Sequence, residues 1–363
     1  MDLSELGLDD EVKAFLNNQK DFQIDRVSQE GGNCDIFFGY HNIFQRRIAL
    51  KVYYGSDKSS SHYEPRILSK IEHDNILRVR DAKRIGNYYS YFMTDEISGG
   101  DLEKCLEKGD LDLKDKLNII HGVLNGLTEL HNPKYSIVHR DIKPKNILIY
   151  QDSKQPLISD FGSIKKFDKS LGKVSGSKTT LVYTPKEVFE SNQYTTQSDI
   201  YQVGVTMFQI LGGYFPGAYF DWLTDKEKQK FLQISGHYEQ SIYLDKVIQK
   251  LVTRNKLLRY ETLPPYLNST IIKVIKKATN PRLKIRYANT GEFMKDLFIV
   301  QKRLINWKEN DSKLYATKMN GDEFRIVESK KGFSIEKKGK NGWRRNGEYE
   351  ATSEPLIMKI NKN

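Results

Sequence analysis

The segment His139-Arg140-Asp141-Ile142-Lys143-Pro144-Lys145-Asn146-Ile147-Leu148-Ile149 constrains this chain more than any other. It follows a strongly periodic helical stretch and runs into an apolar, strand-like stretch. A carboxylate, an ammonium and an amide are packed into six residues, Asp141 to Asn146. Such crowding costs free energy at the edge of a core unless something polar meets it. Phosphoryl transfer gives each group a use. A carboxylate orients the attacking hydroxyl, an ammonium offsets charge on the moving phosphoryl, and an amide oxygen holds a magnesium ion. Asp141, Lys143 and Asn146 fit those roles in turn.

The texture of the chain changes twice. Residues 1 to 21 read as a short amphipathic helix, with Leu3, Leu6, Leu8, Val12, Phe15 and Leu16 near helical spacing. From residue 22, short β-branched and aromatic runs alternate with turn signals, as in an antiparallel meander. One helix is expected from Glu64 to Ile71. After Gly99-Gly100 the pattern turns helical, strongest over Leu111–His131. Further helices are expected at about 197–212, 225–233, 240–258, 268–278 and 288–305. From about residue 310, short strands and Asn/Gly turns return: 314–318, 324–328, 333–337, 343–345 and 356–360. The reading is an α+β chain: a helical extension (1–21), a two-lobed domain (22–97 and 98–308), and a small all-β domain (309–363).

Composition narrows the class. Hydrophobic residues at 38% and charged residues at 29% can bury a core, which excludes a disordered chain. The first residues open acidic with no uninterrupted apolar stretch, which reads against a secretory leader. No apolar run reaches membrane-spanning length. Cys34 and Cys105 lack metal-ligand spacing, which reads against a disulfide framework and for a reducing cytoplasm. The net charge of +11 fits a nucleic-acid or membrane-surface footprint, or a solvated lysine-rich surface. Basic residues interleave with acidic ones and form no long block, so we read the second and expect no nucleic-acid partner.

A second acidic point, Ser159-Asp160-Phe161-Gly162, follows the apolar Pro156-Leu157-Ile158. With the first segment, it makes the chain resemble the eukaryotic-like Ser/Thr protein kinase family over residues 22 to 305. That resemblance implies a bilobal kinase fold, ATP and Mg2+ as cofactors, and a protein substrate with a Ser or Thr acceptor. Asp160 and Asn146 would be the metal ligands. Lys51, in Ile48-Ala49-Leu50-Lys51, would hold the α- and β-phosphates with Glu64 as its carboxylate partner. Pro65 belongs in a helix's first turn and so places Glu64 at the helix tip. The phosphate-covering loop would be Gln29, Glu30, Gly31, Gly32, Asn33 and Cys34, with Ile36 and Ala49 beside the base. Only the family's middle glycine survives, as Gly31. Asp95 to Ile97 would form the hinge that hydrogen-bonds adenine, with Thr94 behind the base.

Further motifs follow in the family's order. Thr180, ahead of Pro185-Lys186-Glu187, would hydrogen-bond Asp141 and Lys143. Lys143 with Thr180 is the serine/threonine pattern. Asp199 would tie down the catalytic loop, and Arg286 would pair with Glu187. Residues 217 to 263 read as a helical insertion. Arg140 suits docking of a phosphorylated residue of the loop between Asp160 and Glu187. Ser175, Ser177 and Thr179 are candidates. Two other readings are weighed against an active kinase. One is a nucleotide-binding pseudokinase scaffold, motivated by the altered glycine loop. The other is a kinase fold acting on a small molecule or nucleic acid, which Lys143, Thr180 and the full substrate-receiving segment oppose.

Overall fold

Alternation along one strand decides which side of the first sheet faces the interior. Strand β3 (Arg46–Tyr54) buries Ile48, Leu50 and Val52 on one face, so Ala49 and Lys51 take the other. The structure is a computed structural model that describes residues 3, 6–29, 34–54, 69–161, 165–166, 174–175 and 181–362. β1 (Phe22–Ser28), β2 (Cys34–His41), β3, β4 (Val79–Ile85) and β5 (Tyr89–Asp95) form an antiparallel sheet in the order β1-β2-β3-β5-β4. Lys51 stands opposite Ile36 and Phe92, and Ala49 opposite Phe38 and Thr94. A Cβ on Gly39 would stand 2.1 Å from the Gln23 carbonyl oxygen, so this glycine serves the close pairing of β1 with β2.

Helix α1 spans Asp10–Asn17, shorter than the reading of 1–21. Val12 and Leu16, one turn apart, are buried with Leu3, Leu8, Phe37, Leu50 and Val52 in one apolar cluster. Asp9 at the helix start accepts the Tyr89 hydroxyl, which pins the helix to the sheet edge. Of the helix expected over 64–71, residues 64–68 lie outside the described residues. Ser69 to Ile71 form a turn and extended chain, not helix.

The large lobe is helical. α2 (Leu102–Glu107) leads into α3 (Leu113–His131), and short strands β6 (Ile137–Val138), β7 (Ile147–Ile149) and β8 (Pro156–Ile158) follow. Next come β9 (Lys165–Lys166), β10 (Val174–Ser175), α4 (Lys186–Ser191), β11 (Gln193–Tyr194) and α5 (Thr196–Ile210). α6 (Asp225–Leu232), α7 (His237–Thr253), α8 (Ser269–Ala278) and α9 (Thr290–Gln301) complete it. α3 starts with a capping box in which Asp112 and Asp115 each accept the other's backbone N–H. Its stripe Leu113, Leu117, Ile120, Leu124 and Leu127 is buried. α5 is buried almost all round, which makes it a central strut. α7 ends before the expected residue 258 because Asn255 turns left-handed, with φ 55°.

Five antiparallel strands close the chain as a meander: β12 (Asn306–Asn310), β13 (Lys313–Thr317), β14 (Glu323–Ser329), β15 (Gly332–Gly339) and β16 (Gly342–Arg345). The sheet begins at Asn306, ahead of the expected boundary at 309. β12 was illegible because Trp307 is its lone apolar residue. The strand expected at 356–360 is instead part of helix α10 (Glu354–Lys362). Leu356, Ile357 and Ile360 are buried along one helical face, and Pro355 sits in the first turn. A five-residue apolar run fits strand and helix alike. Trp307 is 2% exposed, stacks on Tyr266 at 5.5 Å, and joins the sheet to the large-lobe core. No described helix is long and apolar enough to cross a membrane.

Truncating Trp307 removes that joint. Trp307→Ala is expected to lower unfolding stability by about 3–5 kcal/mol, measured by denaturant titration. An unchanged midpoint would show that the sheet and the lobe do not share a core.

Candidate active site

The catalytic loop is held from below by one helix. Asp199 of α5 is fully buried and accepts the backbone N–H groups of His139 (2.9 Å) and Arg140 (2.8 Å). It also meets His131 Nε2 at 2.8 Å. Three residues on, and so on the same helix face, Gln202 reaches the same loop. Its Oε1 accepts from Ile142 N–H at 2.9 Å, and its Nε2 donates to the Arg140 carbonyl at 2.8 Å. The expectation for Asp199 is met; Gln202 is an addition. Its signal in the sequence is a polar residue among Ile200, Tyr201, Val203 and Gly204.

These bonds hold a strained backbone. Arg140 and Asp160 are both left-handed, with φ of 73° and 57°. Such residues cost about 1–3 kcal/mol each and persist only where the surroundings over-determine them. On the second residue's side, Ser159 donates through both N–H and Oγ to the Asn146 carbonyl, each at 3.0 Å. His139 lies beneath both segments, buried, with Nε2 3.2 Å from the Ser159 carbonyl and its ring edge-on to Phe161. Burial pushes its pKa down, so the imidazole is neutral and donates from Nε2.

Above this frame the expected groups converge. Lys143 Nζ donates to both Asp141 carboxylate oxygens, at 2.9 and 3.2 Å. Asn146 Nδ2 donates to Asp141 Oδ2 and to its carbonyl, both at 2.8 Å. With both amide protons so engaged, Asn146 Oδ1 is the atom left for a hard cation. Asp160 faces Lys51, with Oδ1 3.4 Å from Nζ across the gap between the lobes. Burial alone would raise the Asp160 pKa, but Lys51 and the neighbouring His139 and Lys143 together hold the carboxyl below the usual carboxylate range.

A cleft of about 790 Å³ lies beside these residues. Cys34, Ile36, Ala49, Lys51, Thr94, Asp95, Ile97, Asn146 and Asp160, all candidates from the sequence, line it. Phe38, Leu77 and Leu148 also line it, and sequence reasoning missed them. For Phe38 the signal was strand parity, since it shares the face of Ile36. Gln29 is described but does not line the cleft. Glu30, Gly31, Gly32, Asn33, Glu64 and Thr180 lie outside the described residues, as do Ser177 and Thr179. The hinge is set by Gly99, whose N–H donates to the Ile149 carbonyl at 2.9 Å; a Cβ there would sit 2.3 Å from that oxygen.

One buried ion pair closes the lower side. Arg286 donates to Glu187 Oε1 at 2.7 Å and Oε2 at 3.1 Å, and Ser198 Oγ donates to the same carboxylate. The Arg286 side chain has no exposure. The pairing is the one expected.

Residues 28–296 match the family described as protein kinase domain. The chain is similar to a calcium/calmodulin-dependent protein kinase type 1 of Macrobrachium nipponense, 31% identical over 55% of this chain and 56% of that protein. It is likewise similar to the kinase of the same name from Caenorhabditis elegans, 32% identical over 53% of each. To the serine/threonine-protein kinase atg1 of Dictyostelium discoideum it is 29% identical, over 60% of this chain and 34% of that protein. The chain thus spans about half the length of the first two relatives and a third of the last. The resemblance to eukaryotic-like Ser/Thr kinases is borne out.

Arg286→Ala leaves Glu187 buried without its cation. The expected loss is about 3–5 kcal/mol of stability, read by chemical denaturation. Arg286→Ala/Glu187→Ala should recover part of it, and equal losses in the two proteins would contradict a coupled pair.

Proposed function

Since the chain belongs to the protein kinase family, we propose that it moves the γ-phosphoryl group of ATP, with magnesium, to serine or threonine hydroxyls of a protein. The observation that carries this reading is the convergence of Asp141, Lys143 and Asn146 in one network, with the Lys51–Asp160 pair beside it at the cleft.

Each group has a task that its surroundings support. The Asp141 carboxylate orients the incoming hydroxyl and takes its proton. Lys143, 2.9 Å from it, offsets charge on the transferred group. Lys51, 3.4 Å from Asp160, would meet the α- and β-phosphates. Asn146 Oδ1 and the Asp160 carboxylate would hold magnesium. Two protein oxygens suit this ion, which fills its shell with waters and substrate phosphates. When bound, magnesium neutralises phosphate charge.

Specificity for serine and threonine is supported by Lys143 and by the similarity to the serine/threonine-protein kinase atg1. Control by phosphorylation of the loop after Asp160 is part of the proposal. Arg140 lies over the Tyr194 ring at 5.7 Å, and Tyr194 pairs with Val174, next to Ser175. A phosphate at Ser175, Ser177 or Thr179 would meet a guanidinium suited to it.

The test is incubation of the purified protein with ATP, magnesium and a generic protein acceptor, followed by mass spectrometry of acceptor and enzyme. Asp141→Ala and Lys51→Ala should each lower turnover by about 10²–10⁴-fold while the fold, checked by circular dichroism, persists. Glu64→Ala should cost less than either. No transfer by the unmodified protein, with tight ATP binding, would support the scaffold reading instead.

A further inference from the structure

The conformation of Asp141 is defined by the two peptide planes that flank its Cα. The plane before it ends in the Arg140 carbonyl, and the plane after it carries the Ile142 N–H. Both groups are bonded to one side chain, Gln202, at 2.8 and 2.9 Å. Gln202 has no exposure to solvent, so no water competes for either bond. An amide is the side chain that offers an acceptor and a donor from one rigid plane. Asp199 cannot do the same. As a carboxylate it accepts only, and its loop partners, His139 N–H and Arg140 N–H, lie upstream of Asp141.

The restraint matters because the loop would not hold this shape unaided. Arg140 is left-handed at φ 73°, and relaxation of its backbone would swing the Arg140–Asp141 peptide. That swing would carry the Asp141 carboxylate away from Lys143 and Asn146. We propose that Gln202 is a positioning residue for phosphoryl transfer: by clamping both peptide planes around Asp141, it aims the carboxylate at the acceptor hydroxyl. The inference rests on the kinase reading for its catalytic consequence. Its structural consequence stands apart from it.

Gln202→Met keeps the volume and removes both bonds. The expected result is a fall in kcat of about 10²-fold, the scale of a small misplacement of a reacting group, with KM for ATP within about threefold of the parent. Loss of stability alone would lower the active fraction and leave the turnover per folded molecule unchanged. Folded enzyme is therefore counted by nucleotide binding. In an Asp141→Asn background, Gln202→Met should cost less than about threefold, because its target is already gone. Amide hydrogen exchange gives a readout free of activity. In Gln202→Met the segment 139–146 should exchange at least about tenfold faster, with α3 unchanged. Parental kcat, full additivity with Asp141→Asn, or unaltered exchange at 139–146 would each overturn the proposal. If the unmodified protein transfers no phosphate, the kinase reading fails, and hydrogen exchange still decides whether Gln202 clamps the loop.

Discussion

A carboxylate with no access to water, Asp199, governs the rest of the site. Burying such a charge is costly unless both oxygens have hydrogen-bond donors. Here two backbone N–H groups and His131 supply them. The demand runs in both directions. The catalytic loop must curl over α5 to satisfy Asp199, and the curl is what presents Asp141 upward. Removing the carboxylate would leave three donors without partners as well as a loop without its anchor.

The same economy extends to the residues above. The site stores strain at Arg140 and Asp160, both left-handed, and each lies beside a group that the chemistry needs. A glycine at either position would adopt the angle freely, but it would also bring many other conformations to the unfolded and folded chain. Side chains with their own partners narrow that freedom. His139 adds to this as a neutral spacer, buried below the loop and edge-on to Phe161, so the two strained segments lean on one ring.

Much of this was legible before the structure, for a physical reason. Charged groups packed beside an apolar strand have few explanations, so Asp141, Lys143, Asn146 and Asp160 stood out; the first three share one hydrogen-bond network, and Asn146 and Asp160 line the cleft. The amphipathic helices were legible because their period is long enough to count, as in α3. What failed was short or carried by a single residue. β12 has one apolar side chain to announce it, and the Leu356–Ile360 run satisfied two periods at once. Gln202 was hidden because a polar residue within an apolar run of a helix announces burial or exposure equally; only the position of the loop distinguishes them.

The two lobes are joined in a way that suits ligand entry. One apolar cluster holds α1 and the first sheet, and another holds the helical lobe and the C-terminal sheet. Ile71 and Ile76 of the small lobe are buried in the second cluster, and Leu77 and Ile97 meet Leu157 in a small cluster of their own. Ionic clasps brace the end of β5. Arg26 and Arg47 hold Glu96 at 2.6 Å each, and Arg80 holds Asp95 at 2.6 Å. Farther in, the Lys51–Asp160 contact spans the cleft at 3.4 Å, with the aspartate side chain 48% exposed. The pair is half open on the aspartate side only, and at 3.4 Å it is loose. It is easily exchanged for phosphate oxygens on the lysine and a cation on the aspartate. The charge pair that spans the cleft is thus the one a nucleotide and its cation would take over.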